Sequence, residues 1–111
     1  MKENKKIQEF EQAIATSYAS KKGMYKVILE IFGSVENCLN LHSLRDKDRT
    51  KEDESKFEKL ETEYTERYGL EFPDELYDEV AFDEKYALQM DYWATLDDVL
   101  RDYKKIVKGE N

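Results

Sequence analysis

Apolar residues recur along this chain at intervals of three and four, the spacing that places them on one face of a helix. The clearest stripe lies near the C-terminus and consists of Leu96, Val99, Leu100, Tyr103, Ile106 and Val107. A second stripe near the N-terminus consists of Ile7, Phe10, Ile14 and Tyr18. A helix with one apolar stripe buries it against another element, so the pattern predicts helices packed on helices.

Glycine and serine mark the helix ends expected in the first half of the chain. The first helix should span residues 3–20 and stop at Gly23, because glycine is favoured just past a helix C-terminus. The segment Met24–Phe32 is rich in β-branched and aromatic residues, which also suits a strand. Gly33 and Ser34 favour a helix there, since glycine ends one helix and serine caps the next. The strand stays open as the alternative.

The second half of the chain carries the same kind of boundary signals. Thr50 and Asp53 fit the capping-box pattern, and a long helix is expected from there to Tyr68, with Gly69 just past its end. Further expected boundaries are Pro73 as the start of a helix, Asp83 as the cap of a short helix through Trp93, Thr95 as the cap of the last helix and Gly109 as its end.

Together these elements predict an all-α fold, a compact bundle of five to six short helices. The length of 111 residues suits one domain, and a chain of this size buries roughly two-thirds of its extended surface on folding. We therefore assign residues 1–111 to a single helical domain. Aromatic residues make up 13% of the chain, which argues against disorder.

The segment from Glu71 to Asp98 carries the protein's excess of negative charge. It contains ten acidic residues and one base, Lys85, while the whole chain has a net charge of −8. The same segment holds the only tryptophan, three tyrosines and two phenylalanines. Acidic neighbours at i,i+4 on a helix repel each other by a few tenths of a kcal/mol, and almost no base is interleaved here to relieve that repulsion.

Two interpretations of this segment remain open. Its carboxylates could form a solvated outer face over an aromatic core. Alternatively they could form a recognition surface for a basic partner, since tyrosine and tryptophan concentrate binding energy at interfaces. The residues predicted to carry partner binding are Asp74, Glu75, Tyr77, Asp78, Glu79, Asp83, Glu84, Tyr86, Tyr92 and Trp93.

The remaining residues give no catalytic or metal-binding signature. Cys38 and His42 would share a helix face and supply half of a tetrahedral zinc site, but the chain has no second cysteine or histidine to complete it. The run from Asp46 to Glu52 resembles the start of a calcium loop, but it lacks the glycine at position six and the glutamate at position twelve. We expect no enzymatic activity, no metal and no cofactor.

Signals for export or membrane insertion are also missing from the sequence. The N-terminal residues are charged and lack the apolar core of a signal peptide. No apolar run approaches the length of a spanning helix, and a single cysteine excludes an intramolecular disulfide. We expect a soluble, cytoplasmic protein.

The charge of the chain determines which partners are expected. An acidic surface repels nucleic acid and anionic membranes, so we expect neither to bind directly. The favoured hypothesis is a protein-binding module that docks a basic, nucleic-acid-binding surface of a partner enzyme, such as a nuclease, and inhibits it by mimicking nucleic-acid charge. In composition the chain is similar to phage-encoded inhibitors of host defence nucleases and to immunity proteins that neutralise nuclease toxins. The other alternative is a structural or regulatory helical module with a solvated acidic face.

Overall fold

The protein is a bundle of helices in a computed structural model that describes residues 2–70 and 83–110, the first three of them by backbone alone. The helices are α1 (Lys2–Ala15), α2 (Ala19–Phe32), α3 (Val35–His42), α4 (Lys51–Arg67) and α5 (Glu84–Ile106), with a 3-10 turn at Asp46–Asp48. No strand occurs in these two ranges. The predicted all-α bundle is confirmed, and Met24–Phe32 is helical.

One apolar core joins the five helices of the described residues, and α2 is its central element. α2 packs most extensively against α4 and α5 and also contacts α1 and α3. The core side chains are Phe10, Ile14, Met24, Val27, Ile28, Phe32, Val35, Cys38, Leu39, Leu60, Tyr64, Tyr92, Leu96, Val99, Leu100 and Tyr103. Among the described residues, no helix is long and apolar enough to cross a membrane.

The break between α1 and α2 falls inside the segment predicted as one helix over residues 3–20. Ser17 donates its hydroxyl hydrogen to the Ile14 carbonyl oxygen at 2.6 Å. A side chain that bonds back to the preceding turn competes with the next backbone hydrogen bonds of the helix. Tyr18 then takes extended backbone angles and precedes α2, so the prediction of a single helix was wrong.

Gly23 lies within α2, so the prediction that it ends the first helix was also wrong. The position is buried, and an added Cβ would overlap the ring of Tyr68 at the end of α4. The missing side chain therefore allows α2 and the end of α4 to approach closely. This glycine has a packing role, which its spacing in the sequence does not distinguish from a helix stop.

Both ends of α4 follow from local hydrogen bonds. At the start, Thr50 accepts from the Asp53 N–H at 3.1 Å and the Asp53 carboxylate accepts from the Thr50 N–H at 3.0 Å, which confirms the predicted capping box. At the end, the Gly69 N–H donates to the Tyr64 carbonyl oxygen at 3.1 Å. Leu70, rather than Gly69, takes the left-handed conformation, with a φ of 72°.

α5 is one continuous helix of 23 residues, where two helices were predicted. Asp83 caps it as predicted and accepts a hydrogen bond from the Lys85 N–H at 3.0 Å. Thr95 was predicted to cap a separate last helix, but it is buried in the middle of α5, with its hydroxyl 3.4 Å from Asp91. The threonine satisfies its hydroxyl inside the core, so it does not mark a helix start. Gly109, with a φ of 69°, follows the end of α5 as expected.

A buried carboxylate joins α4 to α5. Asp91 is 0% exposed and accepts hydrogen bonds from the Tyr64 hydroxyl at 2.6 Å and from the Leu70 N–H at 2.8 Å. Burial, together with Asp91, raises the pKa of Tyr64, so the phenol keeps the proton that it donates. A left-handed conformation outside glycine costs about 1–2 kcal/mol. At Leu70 the charge-assisted hydrogen bond to Asp91 offsets that cost.

Candidate functional site

The predicted partner-binding residues divide into two groups according to what the structure describes. Five of them lie in residues 71–82, outside the described residues, as does the helix predicted to begin at Pro73: these are Asp74, Glu75, Tyr77, Asp78 and Glu79. The other five are described and belong to the start of α5 or to its N-terminal half: Asp83, Glu84, Tyr86, Tyr92 and Trp93. Only the second group can be located relative to the rest of the fold.

The described members of the predicted site have different surroundings. Tyr86 and Trp93 are 52% and 53% exposed, so both rings are accessible to a partner. Asp83 is occupied as the cap of α5, and Glu84 lies exposed in its first turn. Tyr92 corrects the prediction of an exposed anchor, because it is 5% exposed and belongs to the core. Adjacent helix positions point about 100° apart, so Tyr92 faces inward where Trp93 faces outward.

Trp93 borders a groove between α4 and α5, which we call the acidic groove. Its volume is about 250 Å³ and its floor is formed by Phe57, Tyr92 and Leu96. The α4 side carries three carboxylates at i, i+4 and i+7, which are Glu54, Glu58 and Glu61. The groove therefore brings an exposed aromatic ring next to a row of acidic side chains, the combination that the sequence suggested for a different segment.

Most of the charge along the acidic groove is uncompensated. Glu54 lies 3.9 Å from Arg49, at the outer limit of an ion pair. Within the described ranges, no basic nitrogen lies within 4.0 Å of Glu58 or Glu61. Glu54 and Glu58 also repel each other at i,i+4, so α4 carries an electrostatic cost on this face that an incoming cation would relieve.

Arg49 closes one end of the acidic groove. Its guanidinium donates to the carbonyl oxygens of Leu41 at 3.2 Å and His42 at 2.8 Å, at the C-terminus of α3. The same group lies 5.1 Å from the centre of the Phe57 ring. Arg49 is thus held by the end of α3 and by Phe57. It does not form an ion pair with Glu58 or Glu61.

The floor of the acidic groove is uncharged. Burial, and secondarily the charge of Glu61, raises the pKa of Tyr92, so its phenol stays protonated. The Tyr92 hydroxyl donates to the Phe57 carbonyl oxygen at 3.5 Å. An apolar floor beneath a carboxylate row suits a side chain with an apolar stem and a cationic end, as in lysine or arginine.

A second and larger groove lies between α3 and the C-terminal half of α5, and we call it the basic groove. Its volume is about 610 Å³, and its lining includes Arg101, Lys104 and Lys105. His42 lines both grooves and therefore lies between them. Burial lowers the pKa of His42, and the positive charges of Arg49 and Lys104 add to that effect while Asp97 opposes it. The imidazole is therefore neutral at neutral pH.

The described residues offer little for metal or nucleophilic chemistry. No group of three or more histidine, cysteine, aspartate or glutamate side chains in these residues could hold a metal ion. Cys38 is buried, and burial raises the pKa of its thiol to about 12. A nucleophilic cysteine needs the thiolate form, so Cys38 acts in the core as a small apolar side chain.

Sequence reasoning missed the carboxylates of α4, although a signal for them was present. Glu54, Glu58 and Glu61 recur at helical spacing, and Lys51 at the start of α4 is the nearest base on the same stripe. Negative charge with few interleaved bases is also the pattern that drew attention to residues 71–98. The position of the three glutamates beside Trp93 depends on how α4 packs against α5 and could not be inferred from spacing.

No family model, no curated protein and no solved structure matches the chain.

Proposed function

We propose that the protein is a binding module that receives a basic segment of a partner protein in the acidic groove. The observation that supports this most directly is the uncompensated row of carboxylates beside a half-exposed tryptophan. Surface glutamates are usually solvated and contribute little by themselves. A row of them that borders an aromatic ring and an apolar floor provides charge, contact area and shape at one place.

An arginine of the partner fits this groove better than a lysine. Its planar guanidinium can pair with a glutamate through two hydrogen bonds and can stack on an aromatic face at the same time. Glu58 or Glu61 would accept the hydrogen bonds and Trp93 would provide the face. Cation–π contacts contribute about 0.5–2 kcal/mol depending on their exposure, and tryptophan is enriched among the residues that dominate binding energy.

A partner that normally binds nucleic acid fits the charge spacing along α4. Glu54 and Glu61 are seven positions apart, so the three carboxylates extend over about 10 Å at a rise of 1.5 Å per residue. One strand of duplex DNA carries a phosphate about every 3.4 Å, which is a charge density of the same order. Our specific proposal is therefore inhibition of a nucleic-acid-binding enzyme by charge mimicry, either as a phage-type inhibitor or as an immunity protein against a nuclease toxin.

Trp93 is the only tryptophan of the chain, so its fluorescence reports on the acidic groove directly. The probe is a helical peptide with arginine at i, i+4 and i+7 and neutral residues elsewhere. We expect the peptide to change the Trp93 emission in a saturable manner. We also expect its affinity to fall steeply as the salt concentration rises from about 50 to 300 mM, since screening shortens the reach of exposed charges.

Two matched double variants separate the groove from the overall charge. Glu58→Gln with Glu61→Gln removes two carboxylates from the groove and should weaken peptide binding about tenfold, because two exposed pairs contribute about 0.2–1 kcal/mol each and tenfold corresponds to about 1.4 kcal/mol. Glu52→Gln with Glu66→Gln makes the same change of net charge away from the groove and should weaken binding less than threefold. Equal losses in both variants would contradict the proposal and favour a merely solvated acidic face.

A further inference from the structure

One face of α5 carries exposed side chains that extend from the acidic groove toward the start of the helix. Tyr86 and Trp93 are 52% and 53% exposed, and Met90 between them is partly buried. The three residues are spaced at i, i+4 and i+7, so they lie on one side of the helix. They extend over about 10 Å at a rise of 1.5 Å per residue. We call these three residues the α5 ridge.

The α5 ridge continues the acidic groove in one direction. Trp93 belongs to both, whereas the other two ridge residues lie outside the groove. α4 and α5 run antiparallel, since Phe57 lines the groove together with Leu96 while Gly69, just past the end of α4, lies against Leu88. The ridge therefore runs from Trp93 toward the C-terminal end of α4. A partner segment that lies on Trp93 can reach the carboxylates of the groove at one end and the rest of the ridge at the other.

The exposed rings of the α5 ridge leave apolar surface for a partner to cover. Single exposed apolar side chains are ordinary, and six large ones occur among the described residues. The two most exposed of the six, Tyr86 and Trp93, lie on the same helix face. An aromatic side chain can bury about 150–250 Å², so two half-exposed rings leave roughly 200 Å² in water. Tyrosine and tryptophan are also the residues that dominate binding energy at many interfaces.

The charges around the α5 ridge are mostly negative. The carboxylates of the acidic groove flank it on the α4 side, and on α5 itself the exposed Glu84 precedes it and the exposed Asp97 follows it. Lys85 is the only base of α5 before Arg101. A second copy of the chain, seated on the same surface, would bring these like charges together, and an anionic membrane would be repelled. A partner with basic residues around its apolar ones complements this surface.

A helix is the form of partner segment that fits the α5 ridge. Side chains of one helix pack between the i, i+4 rows of another, and amphipathic helices are recognised through anchors at i, i+3 or i+4, and i+7. A partner bound as an added β-strand would need a sheet edge for its backbone hydrogen bonds. Residues 2–70 and 83–110 contain no strand that could provide one.

We propose that the partner segment received by the acidic groove is a basic amphipathic helix whose apolar side chains cover the α5 ridge. This inference rests on the proposed function and adds to it the form of the partner. Arginine at one end of the segment pairs with Glu58 or Glu61. Apolar side chains at the other end lie on Met90 and Tyr86, and Trp93 contacts both parts.

Two helical peptides of equal length test this inference. The arginine peptide described above is extended by two turns, with either alanine or leucine at i+11 and i+14, the positions that continue the arginine stripe. Alanine and leucine have similar helix propensities, so the two peptides differ mainly in the apolar surface that they offer. We expect the leucine peptide to bind about tenfold more tightly, because its leucines leave water on contact with the ridge. It should also shift the Trp93 emission further to shorter wavelength.

Variants outside the acidic groove locate the apolar contact. Tyr86→Ala with Met90→Ala should remove most of the advantage of the leucine peptide and leave the binding of the alanine peptide unchanged. Ile7→Ala with Leu29→Ala removes exposed apolar side chains from α1 and α2 and provides the matched control, in which the advantage should persist. Circular dichroism checks that both proteins keep their helices.

The outcomes separate this inference from the proposed function. If both peptides bind with equal affinity, or if the two double variants have equal effects, the amphipathic partner is overturned and the acidic groove remains a binding site. If neither peptide binds, the proposed function fails and the inference fails with it. If glutamine in place of the three arginines leaves the affinity of the leucine peptide unchanged, the partner is not basic and both proposals are overturned.

Discussion

The burial of Asp91 differs from what the composition of the surrounding sequence suggests. It lies in the most acidic segment of the chain, where the surrounding composition suggests a surface position. In the fold it is completely buried and is the acceptor that joins Tyr64 and Leu70. A buried carboxylate is tolerated only where donors satisfy it, and here the two shortest hydrogen bonds come from residues more than twenty positions away.

Replacement of Asp91 by alanine should lower the free energy of unfolding by about 3–4 kcal/mol. The change removes the acceptor of the buried Tyr64 hydroxyl and of the partly buried Leu70 N–H, and each hydrogen bond to a charged group contributes about 1.5–3 kcal/mol. Asp97→Ala, on the exposed face of α5, should stay within about 0.5 kcal/mol of the wild type. Urea denaturation of the three proteins measures the difference. A cost for Asp91→Ala no larger than that of Asp97→Ala would show that the buried carboxylate does not stabilise the fold.

Tyr92 and Trp93 are adjacent aromatic residues, and the local sequence does not determine which of the two rings is buried. Both are aromatic, both lie between carboxylates in the chain, and both were predicted to anchor a partner. The rotation of α5 against α4 turns Tyr92 into the core and leaves Trp93 half exposed. That rotation is set by the apolar stripe of the complete helix, which continues through Leu96, Val99 and Leu100, so it becomes visible only when α5 is known to be continuous.

At the scale of elements, the close approach of α2 to the end of α4 depends on Gly23. Helix propensity alone favours alanine over glycine in a helix interior by about 1 kcal/mol. The ring of Tyr68 occupies the space that an added Cβ would need. The chain therefore keeps a residue that is unfavourable for α2 by itself, because the packing of two helices requires it.

A double-mutant cycle tests this packing. Gly23→Ala should destabilise the wild-type protein by about 1–2 kcal/mol, since overpacking costs about 1–3 kcal/mol and exceeds the gain in helix propensity. In the background of Tyr68→Ala the same substitution should stabilise by about 1 kcal/mol, because the overlap is gone. Denaturant unfolding of the four proteins yields the coupling energy. An equal effect of Gly23→Ala in both backgrounds would rule out the ring as the reason for the glycine.

At the scale of the whole molecule, the acidic groove and the basic groove lie next to each other. The acidic groove carries a row of glutamates, and the basic groove on the other side of His42 carries most of its cations on the last turns of α5. In the basic groove, Asp97 and Glu110 also line the walls and Arg101 pairs with Asp98, so its charges largely cancel. In the acidic groove, no basic nitrogen of the described residues lies within 4.0 Å of Glu58 or Glu61. These two carboxylates can therefore attract a cationic ligand, which is the physical basis of the proposed function.

Salt should therefore stabilise the protein as a whole. The net charge is −8, and the carboxylates along α4 repel one another. Raising the NaCl concentration from about 10 to 300 mM shortens the Debye length from about 30 Å to below 8 Å. We expect this to raise Tm by about 4 °C, which for a chain of this size corresponds to somewhat less than 1 kcal/mol.

The Glu58→Gln and Glu61→Gln double variant provides the control for this salt effect. It should start from a higher Tm at low salt than the wild type and show a smaller rise, because part of the repulsion is already removed. Thermal unfolding followed by circular dichroism measures both quantities. A Tm that does not change with salt would mean that the carboxylates are dispersed around the fold.

The sequence by itself determined the helical class of the protein and most of its helix boundaries. Capping at Ser34, Thr50 and Asp83 rests on hydrogen bonds between residues two or three apart, so local sequence contains the information. The role of Gly23, the burial of Asp91 and the meeting of Glu58 with Trp93 were decided only by the tertiary structure. Each of these depends on which faces of two distant helices meet, and that is fixed by the packing of the complete core.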